Sequence, residues 1–136
     1  MTAVVEGPLD AIAVTLASQG AVVGVSPLGT SLTDDQTTLL AEHLGRTNSA
    51  PLLIFDADEA GDAAAERAAT SLLQTNHETR RVALPRDTDP CQLLSDYGPQ
   101  GLAQVIGLTN GTDPRAQTRP GRTRRVRSHG HAPPAR

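Results

Sequence analysis

Short apolar runs that end in an acidic residue recur along this chain. Residues 3–5 lead into Glu6, and residues 52–55 lead into Asp56 and Asp58. Residues with helical spacing follow each run, and strands that alternate with helices form a mostly parallel sheet through right-handed crossovers. Because the carboxyl ends of parallel strands share one edge of the sheet, the pattern predicts an α/β fold with acids gathered at that edge.

The pattern predicts about four strands and five helical segments. The predicted strands are residues 3–5, 21–25, 52–55 and 82–84. The predicted helices are residues 8–20, 33–44, 59–75, 89–96 and 100–106. The helix starts have recognisable signals, since Thr33 and Gln36 form a capping box and Asp89 is an N-cap before Pro90.

Three of the predicted helices carry an apolar stripe, which in the second helix consists of Leu40 and Leu44. In the first, Leu9, Ile12 and Leu16 recur at helical spacing. The third carries a stripe that is mostly alanine, which predicts close packing against its neighbours. Its members are Ala60, Ala64, Ala68 and Leu72.

Composition excludes several classes of protein. The 136 residues contain no lysine, so a Walker A loop and a Schiff-base lysine are absent from this sequence. Cys91 is the single cysteine, which excludes an intramolecular disulfide and a cysteine-rich zinc site. No apolar run approaches the roughly 20 residues that span a bilayer, so we expect a cytoplasmic protein without a membrane partner.

Charge divides the chain into two regions. Residues 1–110 hold five arginines and 14 acidic residues, whereas residues 111–136 hold seven arginines and one aspartate. Residues after 108 also contain almost no large apolar side chains, so they cannot bury enough surface to order themselves. The sequence therefore predicts a folded domain over residues 1–108 and a disordered basic tail over residues 109–136.

The predicted strand ends bring several acids to the same edge of the sheet. They are Glu6, Asp10, Asp56, Asp58, Asp87 and Asp89. Two unit charges 4 Å apart repel by about 4 kcal/mol at an effective dielectric constant of 20, so the acids either extend into water or hold Mg²⁺. Solvated turns, N-caps and helix-favouring first-turn acids remain open as alternatives for the individual residues.

At these positions the chain resembles a Toprim domain of the bacterial DnaG-type primase and phage primase-helicase variety. The resemblance covers about residues 3–107 and implies a Rossmann-like Toprim fold. Four motifs carry it in the family's order, which is more specific than any one of them. They are Glu6-Gly7-Pro8-Leu9-Asp10, Leu28-Gly29-Thr30, Asp56-Ala57-Asp58-Glu59-Ala60-Gly61 and Asp89-Pro90.

The resemblance implies a Mg²⁺-dependent transfer, with Mn²⁺ as a possible substitute, in which a 3′-hydroxyl attacks the α-phosphate of a nucleoside triphosphate. The implied catalytic residues are Glu6, as general acid/base or metal ligand, and Asp10. The implied metal ligands are Glu6, Asp56, Asp58 and Asp89. The implied nucleotide- or phosphate-binding residues are Gly7, Gly29, Thr30 and Gly61.

The sequence departs from the family at two places. DnaG-type primases commonly carry an acid two residues after the aspartate of Asp-Pro, and here Cys91 occupies that position. Cysteine is a poor Mg²⁺ ligand, so a second metal site is in doubt unless Asp87 substitutes. The zinc-binding module, basic subdomain and helicase-binding region of such primases are also not in this sequence. We therefore expect a fragment of a longer protein or separate partner chains.

The basic tail favours a nucleic-acid role, although a solvated terminus is the alternative. Its candidate phosphate contacts are Arg115, Arg119, Arg122, Arg124, Arg125 and Arg127. The expected partners are a DNA or RNA template, nucleoside triphosphates, and a replicative helicase or separate zinc-binding modules. Two other functions remain open, a Toprim-type metal-dependent nuclease and a non-catalytic nucleic-acid- or partner-binding remnant of a primase.

Overall fold

Four parallel strands form a single sheet, in which the first and third strands of the chain lie inside and the second and fourth lie at the edges, in the order second, first, third, fourth. A computed structural model describes residues 1–29 and 31–108. Its strands are β1 (Thr2–Val5), β2 (Val23–Val25), β3 (Leu52–Ile54) and β4 (Arg80–Arg81). Its helices are α1 (Pro8–Ala17), α2 (Asp34–Thr47), α3 (Glu59–Leu73) and α4 (Pro90–Val105). The predicted α/β fold with four parallel strands is confirmed.

The two faces of the sheet are covered by different helix pairs. Ala3 and Val5 of β1 pack in one cluster with side chains of α1 and α4. Val4 points the other way and packs in a second cluster with side chains of α2 and α3. This alternation follows from the two-residue period of a strand. A strand buried on both faces is mostly apolar, as residues 3–5 of β1 and all of β3 are.

The first predicted helix is confirmed as α1, but its apolar stripe is not the side that packs against the sheet. Leu9, Ile12 and Leu16 are 64%, 55% and 59% exposed. The buried side of α1 instead carries Asp10, Ala13, Val14 and Ala17. A Cβ added to Gly24 of β2 would lie within 2.5 Å of the Ala11 Cα. The helix therefore lies so close to the sheet that small side chains fit beneath it and the larger ones remain outside.

The last predicted strand is misplaced by two residues. Strand β4 is Arg80–Arg81 rather than residues 82–84. The Arg80 N–H donates to the Pro51 carbonyl and the Val82 N–H to the Leu53 carbonyl, both at 2.9 Å. Pairing with the short strand β3 therefore sets the register of β4, although its own side chains are exposed arginines.

The ends of two predicted helices differ from the prediction. Helix α2 begins at the predicted Thr33 cap but continues to Thr47, where Asn48 adopts a left-handed conformation with φ 46°. The two predicted C-terminal helices form one element with a break at Gly98, where φ is 69° and ψ is −179°. Of the alanine stripe, Ala60 is exposed because it lies in the first turn of α3.

Within residues 1–29 and 31–108, no helix is both long and apolar enough to cross a membrane. The predicted basic tail, residues 109–136, lies outside the described residues, so the division into a domain and a disordered tail stays a prediction.

Candidate active site at the carboxyl edge of the sheet

Glu6 and Asp56 follow the ends of two neighbouring strands. Val5 of β1 pairs with Ile54 of β3, and each carboxylate follows within two residues of that pair. Glu6 Oε2 and Asp56 Oδ1 are both buried, and neither has a hydrogen-bond partner. Burying an unpaired carboxylate oxygen is costly. A bound cation or a proton would therefore be the missing partner of these two oxygens.

The acids at this edge lie close enough to affect one another. The pKa of Asp56 is raised from 3.8 to about 6. Burial is the largest cause, and repulsion from Glu6, Asp10, Asp89 and Asp58 adds to it in that order. The structure thus brings together five of the six acids that the sequence placed at the edge, and it surrounds Asp56 with the other four.

Asp10 is held by two backbone groups. The side chain is 9% exposed. Its Oδ2 accepts from the Gly7 N–H at 3.1 Å and its Oδ1 accepts from the Cys91 N–H at 3.2 Å. Burial raises the pKa of Asp10, and the hydrogen bonds from Cys91 and Gly7 oppose that rise. The geometry therefore makes Asp10 a link between the N-termini of α1 and α4, with both oxygens already engaged.

Asp58 and Asp89 each act as the N-cap of a helix. Asp58 Oδ1 accepts from the Gly61 N–H at 2.7 Å at the start of α3. Asp89 Oδ1 accepts from the Gln92 N–H at 2.6 Å at the start of α4. Capping engages one carboxylate oxygen of each residue, Oδ1 in both cases. The N-cap prediction for Asp89 is confirmed.

Backbone hydrogen bonds fix the loops that carry these acids. The Ala57 N–H donates to the Thr88 carbonyl and the Asp87 N–H donates to the Ala57 carbonyl, both at 3.2 Å. The Ser26 hydroxyl donates to the Glu6 carbonyl at 2.7 Å. Sequence reasoning missed Ser26, and a serine in a turn-rich loop gave no signal that distinguished it. The loops after all four strands are thereby tied to the site.

Two of the predicted phosphate-binding glycines have packing roles. A Cβ on Gly61 would lie 2.1 Å from the Asp56 carbonyl oxygen, and a Cβ on Gly7 would lie 2.9 Å from Asp10 Oδ2. Their N–H groups already donate to Asp58 and Asp10. Glycine at these positions therefore allows the helix starts to approach the carboxylates closely.

The other predicted contacts are less constrained. Gly29 is exposed, and a Cβ there would meet nothing within 4 Å. Thr30 lies outside the described residues. The six candidate arginines of the tail, from Arg115 to Arg127, also lie outside them. Phosphate binding by these residues stays a prediction.

In the part of the chain that the structure describes, no three His, Cys, Asp or Glu side chains are grouped so that they could hold a metal ion. The predicted set of Glu6, Asp56, Asp58 and Asp89 is therefore not a complete preassembled ligand shell. Mg²⁺ usually binds through one or two carboxylates, with waters and substrate phosphates completing the octahedron. The unpaired oxygens of Glu6 and Asp56 fit that mode of binding.

Two clefts open beside Asp56. One, of about 570 Å³, lies beyond β3 and β4 and includes Asp58, Arg81 and Arg86 in its lining. The other, of about 560 Å³, lies between the starts of α1 and α4 and includes Cys91. Asp56 lines both clefts, so a ligand bound in either cleft would lie beside it.

Comparison with known proteins identifies the family. A Toprim-like family model matches residues 3–94. The DNA primase of Aquifex aeolicus (strain VF5) is 33% identical over 102 residues, which is 75% of this chain and 19% of that primase. The chain belongs to the Toprim-like family.

Solved structures connect this fold with one part of a primase. The crystal structure of the Aquifex aeolicus primase, with its zinc binding and RNA polymerase domains, matches with a TM-score of 0.64 and 30% identity. That match covers 78% of this chain and 25% of the other. The RNA polymerase domain of Mycobacterium tuberculosis primase DnaG gives 0.63 and 27%, over 78% of this chain and 35% of the other. The chain is thus a Toprim domain related to the RNA polymerase domain of DnaG-type primases.

Proposed function

We propose that this chain is the Toprim part of a primase-like protein and carries out Mg²⁺-dependent nucleotidyl transfer for primer synthesis. The observation that supports this most directly is the pair of unpaired buried oxygens, Glu6 Oε2 and Asp56 Oδ1, at the ends of adjacent parallel strands. A divalent cation would remove the penalty of keeping both carboxylates ionised side by side.

In this proposal Glu6 and Asp56 would hold the cation, and Asp58 and Asp89 would be its further candidate ligands. Bound Mg²⁺ would lower the pKa of the attacking hydroxyl and neutralise charge that develops on the phosphoryl group. Asp10 acts by position, because it ties the Asp89 segment to the Glu6 loop through its two backbone hydrogen bonds.

Cys91 affects a second metal position. The side chain lines the cleft between α1 and α4, and its thiol would be a weak ligand for a hard cation. Asp87 borders the opposite cleft and does not line the cleft that contains Cys91. We therefore propose a single metal site at Glu6 and Asp56 in the isolated chain.

The proposed partners are inferred from the primases that this chain resembles. The chain spans 19% of the Aquifex aeolicus primase, so template, nucleoside triphosphates, a helicase and a zinc-binding module belong to the proposal for the whole assembly. A cytoplasmic location is part of the same proposal.

Metal binding is the first test, because it does not depend on missing modules. We expect calorimetry with Mg²⁺ or Mn²⁺ to detect binding by the wild type at or below millimolar concentration, and Glu6→Gln and Asp56→Asn to weaken it at least 10-fold. Asp35→Asn, in the exposed first turn of α2, is the matched control and should bind as the wild type does.

Primer synthesis is the second test. With a single-stranded template, nucleoside triphosphates and Mg²⁺, we expect product from the wild type that Glu6→Gln and Asp56→Asn abolish. Product that is indifferent to both substitutions would exclude the proposed catalytic residues.

A non-catalytic remnant is the second candidate. It is favoured by Cys91 and by the finding that no three ligating side chains are grouped in the described part of the chain. The absence of metal binding at millimolar concentration in the calorimetric test would favour it over the enzyme.

A further inference from the structure

The cleft beyond β3 and β4 combines arginines with the acids of the site. Its wall carries Asp56 and Asp58 from the loop after β3, Arg81 from β4, and Arg86 from the loop after β4. The two loops are joined by the Ala57 hydrogen bonds described above. The cleft, of about 570 Å³, is therefore held in shape by the backbone.

This cleft contains side chains of both charges, so neither an anion alone nor a cation alone would complement it. Arginine side chains bind phosphate oxygens through charge-assisted, often bidentate hydrogen bonds. The cleft also contains Glu59, Asp62 and Asp87 besides the two aspartates of the site. A free polyphosphate would be repelled by these carboxylates, whereas one that carries a divalent cation presents both signs of charge.

Arg81 is held in a way that allows it to exchange partners. Its guanidinium is paired with the Asp62 carboxylate, and the two side chains are 45% and 62% exposed. An exposed ion pair of this kind contributes little to stability. A phosphate group can therefore take the place of Asp62 at little cost, and Asp62 competes with that phosphate.

We propose that this cleft is a polyphosphate subsite in which Arg81 and Arg86 bind the non-bridging oxygens of a cation-bound nucleoside triphosphate. The inference rests on the proposed function, since the cation is the one that Glu6 and Asp56 hold. It assigns a role to two residues that the family motifs do not include. The triphosphate would extend from Asp56 along β4 toward Arg86.

Inorganic tripolyphosphate is the probe, because it contains the recognised chemistry without base or sugar. In calorimetric titrations with saturating Mg²⁺, we expect R81Q/R86Q to weaken tripolyphosphate binding by about 10- to 100-fold, the range for loss of hydrogen bonds to a charged group. Arg80→Gln is the matched control, because Arg80 is the neighbouring exposed arginine of β4 and does not line the cleft. It should bind as the wild type does.

A second variant predicts a change in the opposite direction. Asp62→Asn removes the carboxylate that competes for Arg81, so we expect it to strengthen tripolyphosphate binding by about 2- to 5-fold. This gain cannot be attributed to a folding defect. Circular dichroism of each variant should match that of the wild type.

The outcomes separate this inference from the proposed function. No tripolyphosphate binding by the wild type, or equal losses in Arg80→Gln and R81Q/R86Q, would overturn the subsite. The subsite would also be overturned if R81Q/R86Q lost binding to a 5′-hydroxyl oligothymidylate while its tripolyphosphate binding stayed unchanged. That result would assign the two arginines to contacts with a nucleic-acid backbone. Mn²⁺ binding measured without phosphate tests the Glu6 and Asp56 site separately, so the subsite can fail while the proposed cation site stands, and a failure of the cation site itself is recognised as such.

Discussion

Asp56 shows how a single residue can oppose folding and serve function. It lies at the centre of the acidic edge, where burial and four neighbouring carboxylates raise its pKa to about 6. Its buried Oδ1 has no hydrogen-bond partner. Residues that carry such an unfavourable charge in a native fold are candidates for function, and here the unfavourable term is one that a cation would offset.

Replacing Asp56 should stabilise the metal-free domain. We expect Asp56→Asn to raise the free energy of unfolding at pH 7 by only about 1–2 kcal/mol, because solvent screens part of the repulsion at this partly exposed carboxylate. Urea denaturation in EDTA measures it. The exposed Asp35→Asn should change stability by less than about 0.5 kcal/mol. A destabilised Asp56→Asn would contradict the assignment of strain to this carboxylate.

The pH dependence of the wild type has a definite sign. The folded-state pKa of Asp56 is above its ordinary value of 3.8, so the folded state binds its proton more tightly than the unfolded state. This contribution to stability is complete below pH 3.8 and is lost as the pH rises through about 6. The advantage of Asp56→Asn should therefore grow across that window and level off above it.

At the scale of elements, the starts of α1 and α4 are joined by one buried carboxylate. Asp10 belongs to α1 and accepts the backbone N–H of Gly7 and that of Cys91. No sequence rule connects residues 10 and 91. The family motif places an aspartate at position 10 both if its carboxylate binds a metal and if it accepts hydrogen bonds at a helix start. The sequence therefore left these two roles open.

Removing this link should loosen both helix starts. We expect Asp10→Ala to lower the free energy of unfolding by about 2–4 kcal/mol, because two backbone donors lose a charged acceptor. Amide exchange at Gly7 and Cys91 should accelerate in the same variant. Asp34→Ala, in the exposed first turn of α2, is the control and should cost no more than about 1 kcal/mol. Unchanged exchange at Cys91 would contradict the link.

The first helix shows why apolar spacing can mislead. Leu9, Ile12 and Leu16 have the spacing of a buried stripe, yet they are exposed and the smaller Ala13, Val14 and Ala17 are buried. Either of these two sets of residues could form the buried side of the helix, and hydrophobicity alone favours burial of the larger residues. The close approach of α1 to Gly24 decides for the smaller ones, and that distance is a property of the assembled sheet.

At the scale of the whole molecule, the charge is divided between two regions. Residues 1–110 carry a formal charge of −9 and residues 111–136 a charge of +6. The acidic edge belongs to the first region, and the tail is the main source of positive charge. Nucleic-acid binding should therefore depend on the tail.

Deleting residues 109–136 tests that dependence. We expect the full chain to bind single-stranded DNA with an affinity that falls with salt, with a log–log slope of about −4 if six arginines contact phosphates. The truncated chain should lose this binding but keep its affinity for Mg²⁺. Fluorescence anisotropy over a salt series measures both slopes. Equal binding by the two chains would assign the contacts to residues 1–108.

The sequence by itself determined the α/β class, the parallel sheet and the gathering of acids at one edge, because strand ends and helix caps are local signals. It also placed Glu6 and Asp56 at that edge and predicted the helix caps at Thr33 and Asp89. The tertiary structure decided which carboxylate oxygens lack a partner, which stripe of α1 is buried, and that Arg81 faces the cleft. These depend on distances between segments far apart in the chain, and local patterns do not contain such distances.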